Sequence, residues 1–340
     1  GIVMLFGICA VIYSVLNGQG GFYSSLSKLA AQVPIESDVI KVAGDGIFAS
    51  FFGPDPLNLL GVIILTSLGT WGLPQMVGKF YAIKSEKSIK TGMIVSTAFA
   101  VVVSGGCYFL GGFGRLFSDK IDIATGGYDS IIPTMLSTLP DILIGIVIVL
   151  VLSASMSTLS SLVLTSSSTF TLDVIKPASK KEMSDKKQVT IMRLFIVFFI
   201  LVSAIIAIFK DAHPEVTFIA QMMGVSWGAL AGAFLAPFLY GLYWKGITKA
   251  ATIVCFIWGC GIAVVQLVIT LAGIDTTGWG TVLSYVFKSS INSGVVAMVG
   301  GLIIVPIISL FTKKQDQKEL EDLFECYEEK TEAVAKEHLK

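Results

Sequence analysis

Residues 141–176 read DILIGIVIVLVLSASMSTLSSLVLTSSSTFTLDVIK, and no charged side chain interrupts this stretch between Asp141 and Asp173. Such a run exceeds the roughly 20 apolar residues that an α-helix needs to cross the hydrocarbon core of a bilayer. We therefore expect a transmembrane helix over residues 141–172. Its second half is unusual, because serine and threonine are concentrated in a segment that otherwise has the character of a membrane span.

One face of this helix combines small and hydroxyl-bearing residues. Ala154, Ser157, Thr158 and Ser161 fall at spacings of three and four, so they share that face. Oxygen ligands without a cluster of carboxylates favour a small monovalent cation such as sodium over a divalent ion. The alternative is structural, because serine and threonine in membranes commonly bond back to their own helix or join neighbouring helices. The spacing alone leaves both interpretations open.

The composition indicates the class of protein. The 340 residues are 54% hydrophobic and 14% charged, whereas soluble domains carry about 25% charged residues. We therefore predict an all-α polytopic membrane protein. The net charge of zero gives no overall positive field that would suggest a nucleic-acid partner. A Walker A sequence is absent, and the GVSWG at residues 224–228 lies within a span, so we expect neither enzymatic activity nor a cofactor.

Hydrophobic windows predict about eight membrane spans. These spans cover residues 1–16, 57–83, 91–116, 141–172, 191–209, 216–244, 250–272 and 294–311. A transmembrane domain would thus occupy residues 1–312. The charged tail, residues 313–340, carries Leu320, Leu323 and Phe324 at helical spacing. We interpret this tail as a solvated helix.

The basic residues predict the orientation of the spans, because loops rich in lysine and arginine stay in the cytoplasm. Alternating the spans places four basic groups on one side, which supports a multi-pass protein of the plasma (inner) membrane with a cytoplasmic tail. These groups are Lys79, Lys84, Lys87 and Lys90; Lys176, Lys180, Lys181, Lys186, Lys187 and Arg193; Lys245 and Lys249; and Lys313 and Lys314.

The second predicted span contains GTWGLPQMVGKFYAIKSEKS at residues 69–88, which is a poor continuous helix. Pro74 lacks a backbone donor, and the glycines just before it lower helical propensity. Transporters use such breaks to form binding sites at membrane depth. Trp71 and Gln75 are then candidate cavity residues, and the alternative is a simple kink at Pro74 with Trp71 in a helix interface.

The sixth predicted span contributes two further features. Gly224, Gly228 and Gly232 recur every four residues, which predicts the close approach of another helix. Gln221 lies in an apolar run, where an amide is costly unless it has a partner. Gln221 therefore either binds a solute or hydrogen-bonds another helix.

Three segments in order resemble the sodium:solute symporter family, which includes proline and pantothenate permeases and sodium/sugar cotransporters. They are WGLPQMVGKFYAIKS from Trp71, MSTLSSLVLTSSSTFTLDVIK from Met156 and GAFLAPFLYGLYWKGITKAA from Gly232. The first departs from the family pattern, because Lys79 stands where arginine is usual. The resemblance extends over residues 1 to about 314.

The resemblance implies a leucine-transporter-like fold of two inverted five-helix repeats, of which this chain would hold the C-terminal part. It further implies that the Ala154 carbonyl and the Ser157 and Thr158 hydroxyls bind sodium together with helices upstream of Gly1. Trp71, Pro74, Gln75 and Gln221 would contact the solute. The partners implied are sodium, a small organic solute, membrane lipid and those N-terminal helices of the same protein.

The function expected from this resemblance is sodium-coupled symport of a small organic solute, such as proline, a carboxylate or a pantothenate-like compound, by alternating access. Three alternatives remain at this stage. The protein could be a transporter-derived sensor with the tail as a linker, a proton-coupled transporter of the same fold, or a passive channel lined by hydroxyls.

Overall fold

The computed structural model describes residues 1–32, 46–76, 83, 85–121, 127–179, 182–212 and 219–327. Throughout these ranges the regular structure is helical, as expected from the composition. The α-helices are α1 (Ile2–Gly18), α2 (Phe22–Ala30), α3 (Pro56–Trp71), α4 (Glu86–Gly112), α5 (Ile131–Leu136), α6 (Asp141–Thr169), α7 (Lys176–Ala178), α8 (Asp185–Ala212), α9 (Ile219–Tyr243), α10 (Lys249–Ala272), α11 (Thr281–Phe287), α12 (Ser290–Phe311) and α13 (Gln317–Phe324).

Shorter helical segments connect these elements. Turns of 3₁₀-helix cover Ile47–Ala49, Phe113–Lys120, Tyr128–Ser130 and Glu325–Tyr327, and a π-helix covers Phe170–Ile175. The π-helix continues α6 without a break, so one helical rod extends from Asp141 to Ala178. A π-helical segment of this kind is rare and is often associated with function. The sequence pattern did not predict it.

Six helices among the described residues are long and apolar enough to cross a membrane, and a seventh span results if α1 and α2, bent by 64°, count together. The protein is therefore a multi-pass membrane protein. The shortfall from the eight predicted spans lies in the first two. Helix α1 has 17 residues, and α3 has 16 because it ends at Trp71, while residues 77–82 lie outside the described part of the chain.

The chain forms two units. The first comprises Gly1–Leu29 and Ser96–Glu215, and the second comprises Ala30–Val95 and Val216–Lys340. The predicted division into a membrane domain and a tail at residue 312 stays a prediction, and residues 328–340 lie outside the described ranges. Helix α13 occupies the start of that predicted tail.

The second unit is built on close contacts between α9, α10 and α12, with α3 against α9 and α12. The predicted role of the three glycines in α9 is confirmed. A Cβ at Gly224 would meet the Ser290 backbone at 2.8 Å, and one at Gly228 would meet the Gly294 Cα at 2.7 Å. A Cβ at Gly232 would lie 2.7 Å from the Ala297 Cβ. These helices therefore approach to backbone contact, as small residues permit in membranes.

Larger side chains complete the second unit. Leu65, Ala231, Leu235 and Met298 form a buried apolar cluster where α3, α9 and α12 meet. The Trp258 indole N–H of α10 donates to the Ala297 carbonyl at 3.1 Å. The apolar cluster supplies van der Waals packing, and the hydrogen bond joins α10 to α12. Both kinds of contact stabilise helix association in lipid.

The first unit has a small core and long apolar helices. Val11, Val15, Leu110, Phe117, Met135 and Leu139 form its buried cluster. In the most apolar windows of its helices α6 and α8, 0% of the residues are buried. The corresponding windows of α9, α10 and α12 in the second unit have 28 to 39% of their residues buried. Helices that are apolar on all sides belong to membranes or to interfaces with other helices.

One ion pair ties distant parts of the first unit together. Lys210, near the end of α8, donates to the Asp129 carboxylate in the 3₁₀ turn before α5. Both side chains are about three-quarters covered. The pair links the segment between α4 and α6 to the end of α8 that the basic residues predict to face outward.

A valine at Gly259 should destabilise the second unit. Its Cβ would collide with the backbone of Gly232 and Ala233, which cannot move as a flexible side chain could. We expect a loss of about 1–3 kcal/mol in stability, measured as a lower midpoint of thermal unfolding in detergent. The matched control is Gly261→Val on the same helix, where nothing lies within 4 Å of the added Cβ. Equal midpoints for the two variants would contradict the packing described.

Candidate functional site

The predicted sodium ligands lie at the middle of the rod formed by α6 and its continuation. The helix begins after Pro140, which is extended at ψ 140, and Asp141 lies in its first turn, where a negative charge interacts favourably with the helix dipole. Ser157 and Thr158 fall close to the midpoint of Asp141–Ala178. Transporters commonly bind their substrates and coupling ions near the bilayer midplane.

Helix geometry brings three oxygens of this segment together. The carbonyl of residue i points toward residues i+3 and i+4, so the Ala154 carbonyl points toward Ser157 and Thr158. That carbonyl accepts one intrahelical hydrogen bond and keeps a second lone pair. The predicted ligand set thus consists of one helical carbonyl and two hydroxyls within one turn of α6.

Hydrogen bonding separates the hydroxyls of α6 into two groups. The first group bonds back to carbonyls of the same rod, as the structural alternative requires. It contains Ser160 to Met156, Thr165 to Ser161, Ser167 to Leu164, Ser168 to Thr165 and Thr171 to Ser167, at 2.7 to 2.9 Å.

The second group of hydroxyls makes no hydrogen bond to any residue that the structure describes. It contains Ser153, Ser155, Ser157, Thr158, Ser161, Ser166 and Thr169. Ser157 and Thr158 are exposed within the first unit, and Ala154 is half-buried. The structural alternative thus accounts for the five hydroxyls of the first group and does not account for Ser157 and Thr158.

The electrostatics of this face are neutral. The nearest carboxylates on the rod, Asp141 and Asp173, lie about 20 Å away from the three residues along its axis. Among the described residues no group of three or more His, Cys, Asp or Glu side chains could hold a metal ion. Neutral oxygens without carboxylates suit a monovalent hard cation better than a divalent or transition metal.

Ala154 also lines an apolar cavity of about 360 Å³ in the first unit. Its walls come from α1, α4, α5 and α6, and include Gly7, Val103, Leu136 and Leu150. The cavity has almost no polar lining apart from Ser155, so it offers a cation no further ligand. The Ser157 and Thr158 hydroxyls are not part of this cavity lining, and both residues are exposed.

The break in the second predicted span is present. Helix α3 ends at Trp71, and Gly72 forms its C-cap with its N–H bonded to the Leu68 carbonyl. Pro74 is the first residue of the next helical turn, a position where its missing N–H costs nothing. A Cβ at Gly72 would lie 2.9 Å from the Ala231 and Leu235 side chains, so α9 covers the break closely.

The predicted solute residues form two groups in the second unit. Trp71, with 47% exposure, lies beside Pro74 and Gln75 at the break. Gln221 is near the start of α9, about 15 Å along that helix from Ala231, which contacts Gly72. The structure thus brings Trp71, Pro74 and Gln75 together and leaves Gln221 apart. Gln75 and Gln221 are half-buried, and neither amide has a hydrogen-bond partner among the described residues.

Comparison with known sequences decides the family. Residues 1–259 match the profile of the Sodium:solute symporter family, which is about three-quarters of the chain. The chain belongs to the sodium:solute symporter family. This membership confirms the resemblance and the leucine-transporter-like, all-helical fold class. The family and its relatives are symporters, in agreement with a transporter rather than an enzyme.

Individual relatives share just over a quarter of their residues with this chain. The sodium/pantothenate symporter of Haemophilus influenzae is 27% identical over 262 residues, which are 77% of this chain and 51% of that protein. The osmoregulated proline transporter OpuE of Bacillus subtilis is 28% identical over 68% of this chain and 46% of its own length. The sodium/proline symporter of Staphylococcus aureus is 28% identical over 78% and 50%.

The chain of this symporter family member spans about half the length of the curated relatives it matches. Its predicted sodium ligands lie in the first unit and its predicted solute ligands in the second. The family-motif residues Lys79 and Phe80 lie outside the described ranges.

Three buried polar residues were missed from the sequence. Gln266 of α10 is 3% exposed, and Ser290 and Ser309 of α12 are 2% and 1% exposed. The Gln266 Oε1, the Ser290 Oγ and the Ser309 Oγ have no hydrogen-bond partner among the described residues. The signal for Gln266 was available, because it is a single amide in an apolar run, as Gln221 is.

Removing the hydroxyl of Thr171 should destabilise the first unit more than removing those of the predicted ligands. Thr171 is fully buried and donates to the Ser167 carbonyl at 2.7 Å. We expect Thr171→Val to lower stability by about 1 kcal/mol. Ser157→Ala and Thr158→Ala should change it by less than about 0.5 kcal/mol, because their hydroxyls have no partner among the residues that the structure describes.

Thermal unfolding in detergent measures these differences. The control is Thr165→Val, which removes an equivalent bond from an exposed position on the same helix. A large loss in Ser157→Ala or Thr158→Ala would show that these hydroxyls hold helices together.

Proposed function

We propose that this chain is part of a sodium-coupled symporter that moves a small organic solute across the plasma (inner) membrane by alternating access. One observation carries the proposal. The Ser157 and Thr158 hydroxyls have no hydrogen-bond partner among the described residues, and they lie on the same helix face as Ala154 near the middle of the span. Membership of the sodium:solute symporter family and relatives named for sodium-coupled symport support it.

In this proposal sodium contacts the Ala154 carbonyl and the Ser157 and Thr158 hydroxyls. The three neutral oxygens replace part of the hydration shell of the ion, and further oxygens come from another helix of the full-length protein. Sodium is the coupling ion, and the cycle requires no cofactor. Because helix α6 stays intact around the site, binding changes the contacts of this face and leaves the backbone bonding of α6 as it is.

Coupling follows from reciprocal binding. If sodium binds more tightly to the outward-open state, it raises the population of that state and with it the apparent affinity for the solute. The solute must then raise the sodium affinity by the same factor, commonly worth 1–3 kcal/mol. Ion movement down its gradient can in this way drive the accumulation of the solute.

For the solute we propose a small carboxylate-bearing compound, an amino acid such as proline or a pantothenate-like molecule. The relatives named for pantothenate and proline support this class. At the break after α3, Trp71 offers an exposed aromatic surface and Gln75 an amide with no hydrogen-bond partner among the described residues. Gln221 lies about 15 Å along α9 from Ala231, which contacts the break at Gly72. It would therefore contact the solute at a different stage of the transport cycle or stabilise its own helix.

The sodium ligands can be tested by uptake into liposomes that contain the full-length protein. Proline, pantothenate, short carboxylates and sugars should be supplied with and without a sodium gradient. We expect accumulation of one class to require sodium. Ser157→Ala and Thr158→Ala should each raise the sodium concentration for half-maximal uptake by roughly tenfold, the factor that corresponds to a loss of about 1.4 kcal/mol.

The controls are Ser160→Ala and Thr165→Val, whose hydroxyls bond to carbonyls of their own helix and should leave the sodium dependence unchanged. Uptake that follows a proton gradient instead would favour the proton-coupled alternative. Uptake that does not saturate would indicate a channel. Wild-type sodium dependence in both ligand variants would rule out this sodium site.

The solute site can be tested separately at Gln75. Gln75→Leu removes an amide that lacks a protein partner among the described residues, so stability should hardly change while solute affinity falls. We expect the solute concentration for half-maximal uptake to rise by roughly tenfold. Gln221→Leu is the matched comparison, since it makes the same change about 15 Å along α9 from Ala231, which contacts the break at Gly72. A larger effect at Gln221 than at Gln75 would move the site to the start of α9.

A further inference from the structure

Four lysines gather at one end of the second unit. Lys245 and Lys249 flank the turn between α9 and α10, and Lys313 and Lys314 follow α12. The Thr248 and Thr312 hydroxyls meet at 2.6 Å. This hydrogen bond joins the start of α10 to the end of α12, so that it keeps the two pairs of lysines side by side.

These lysines line two adjoining cavities. Lys249, Lys313 and Lys314 line one of about 380 Å³, and Lys245 and Lys314 line another of about 240 Å³. Lys314 and Gln315 line both, so the two cavities are adjacent. We refer to the four lysines and these two cavities as the lysine site.

Two acidic residues also line the lysine site and leave it with an excess of positive charge. Asp316 lines the first cavity and accepts the Lys318 backbone N–H at 3.0 Å, as the cap of α13. Glu321 lines the second. None of the four lysines forms an ion pair with a residue that the structure describes.

Helix α13 holds one of these lysines in place without neutralising it. The Lys245 Nζ lies 5.3 Å from the centre of the Phe324 ring, a cation–π contact. Leu320, 8% exposed, lies on the same helix and lines the same cavity. The aromatic ring orients the ammonium group and leaves its full charge available to an anion.

An apolar groove lies immediately beside the lysine site. It has a volume of about 360 Å³ and is lined by Leu239, Tyr240, Tyr243, Trp244 and Pro306 of α9 and α12 and the turn after α9. The Tyr240 hydroxyl donates to the Leu302 carbonyl at 2.8 Å, and the Trp244 indole packs on Gly246. The walls of the groove are therefore held by hydrogen bonding and packing.

We propose that the lysine site and the groove together bind one anionic phospholipid. The headgroup phosphate lies among Lys245, Lys249, Lys313 and Lys314, and an acyl chain lies in the groove along Tyr243 and Trp244. Charge and shape support this occupant. A basic pocket at the cytoplasmic ends of membrane helices attracts anionic lipid headgroups, and aromatic side chains commonly lie at this depth. A free phosphate would bind the lysines, but it has no acyl chain to occupy the groove.

The test measures lipid retention by the full-length protein purified in detergent. Native mass spectrometry would follow binding of phosphatidylglycerol and of phosphatidylcholine with the same acyl chains. We expect phosphatidylglycerol to bind more tightly. The variant Lys245→Gln, Lys249→Gln, Lys313→Gln, Lys314→Gln should lose at least roughly tenfold in phosphatidylglycerol affinity, since the four lysines supply the attraction to the anionic headgroup, and phosphatidylcholine binding should not change.

The charge-matched control carries Lys87→Gln, Lys90→Gln, Lys186→Gln and Lys187→Gln, four exposed lysines predicted to lie on the same side of the membrane. It should bind phosphatidylglycerol within about twofold of the wild type. An equal loss in this control would overturn the proposal, because it would show an effect of overall charge. Equal binding of the two lipids by the wild type would also overturn it.

A second pair of measurements tests the groove. Tyr243→Ser changes an exposed side chain of the groove and no lysine, so the variant should fold. It should weaken binding of long-chain phosphatidylglycerol and have little effect on a short-chain form. Inorganic phosphate in excess should not displace the long-chain lipid. Displacement by phosphate, or unchanged binding by Tyr243→Ser, would overturn the assignment of a lipid to this site.

Discussion

The constraint on which this structure depends is that polar groups in lipid have to be satisfied from within the protein. It explains why the regular structure in the described ranges is helical. It also explains why five hydroxyls of the rod that begins with α6 bond back to their own carbonyls. The same constraint makes exceptions informative. The break after Trp71 is covered closely by α9, and the hydroxyls of Ser157 and Thr158 face a side that the first unit leaves open.

Packing within the two units follows different routes. In the second unit small residues bring α9, α10 and α12 to backbone contact. Because lipid is as apolar as the helix surfaces, the hydrophobic effect does not drive these helices together, and van der Waals packing stabilises their association instead. In the first unit α6 and α8 keep apolar surfaces on all sides. The predicted sodium ligands are thus on a helix with few neighbours in its own unit, whereas the break with Trp71 and Gln75 is supported by a tightly packed group of helices.

The candidate site could be predicted in part. Spacing alone placed Ala154, Ser157 and Thr158 on one face, because the helical period is constant. The break at Pro74 was predictable, since proline and glycine act on the local backbone. Which hydroxyls bond back was not, because Ser157 and Ser160 have the same chemistry. The separation of Gln221 from Gln75 and the burial of Gln266 depend on how α3, α9, α10 and α12 are arranged.

The sequence by itself determined the membrane class, the helical fold, the family and the common face of the three oxygens, because hydropathy and helical periodicity are properties of consecutive residues. Only the tertiary structure decided that α3 ends at Trp71 under α9. It alone also showed that the lysines at 245 and 249 adjoin those at 313 and 314. These features join residues that are far apart along the chain, and their positions follow from helix packing that no local pattern specifies.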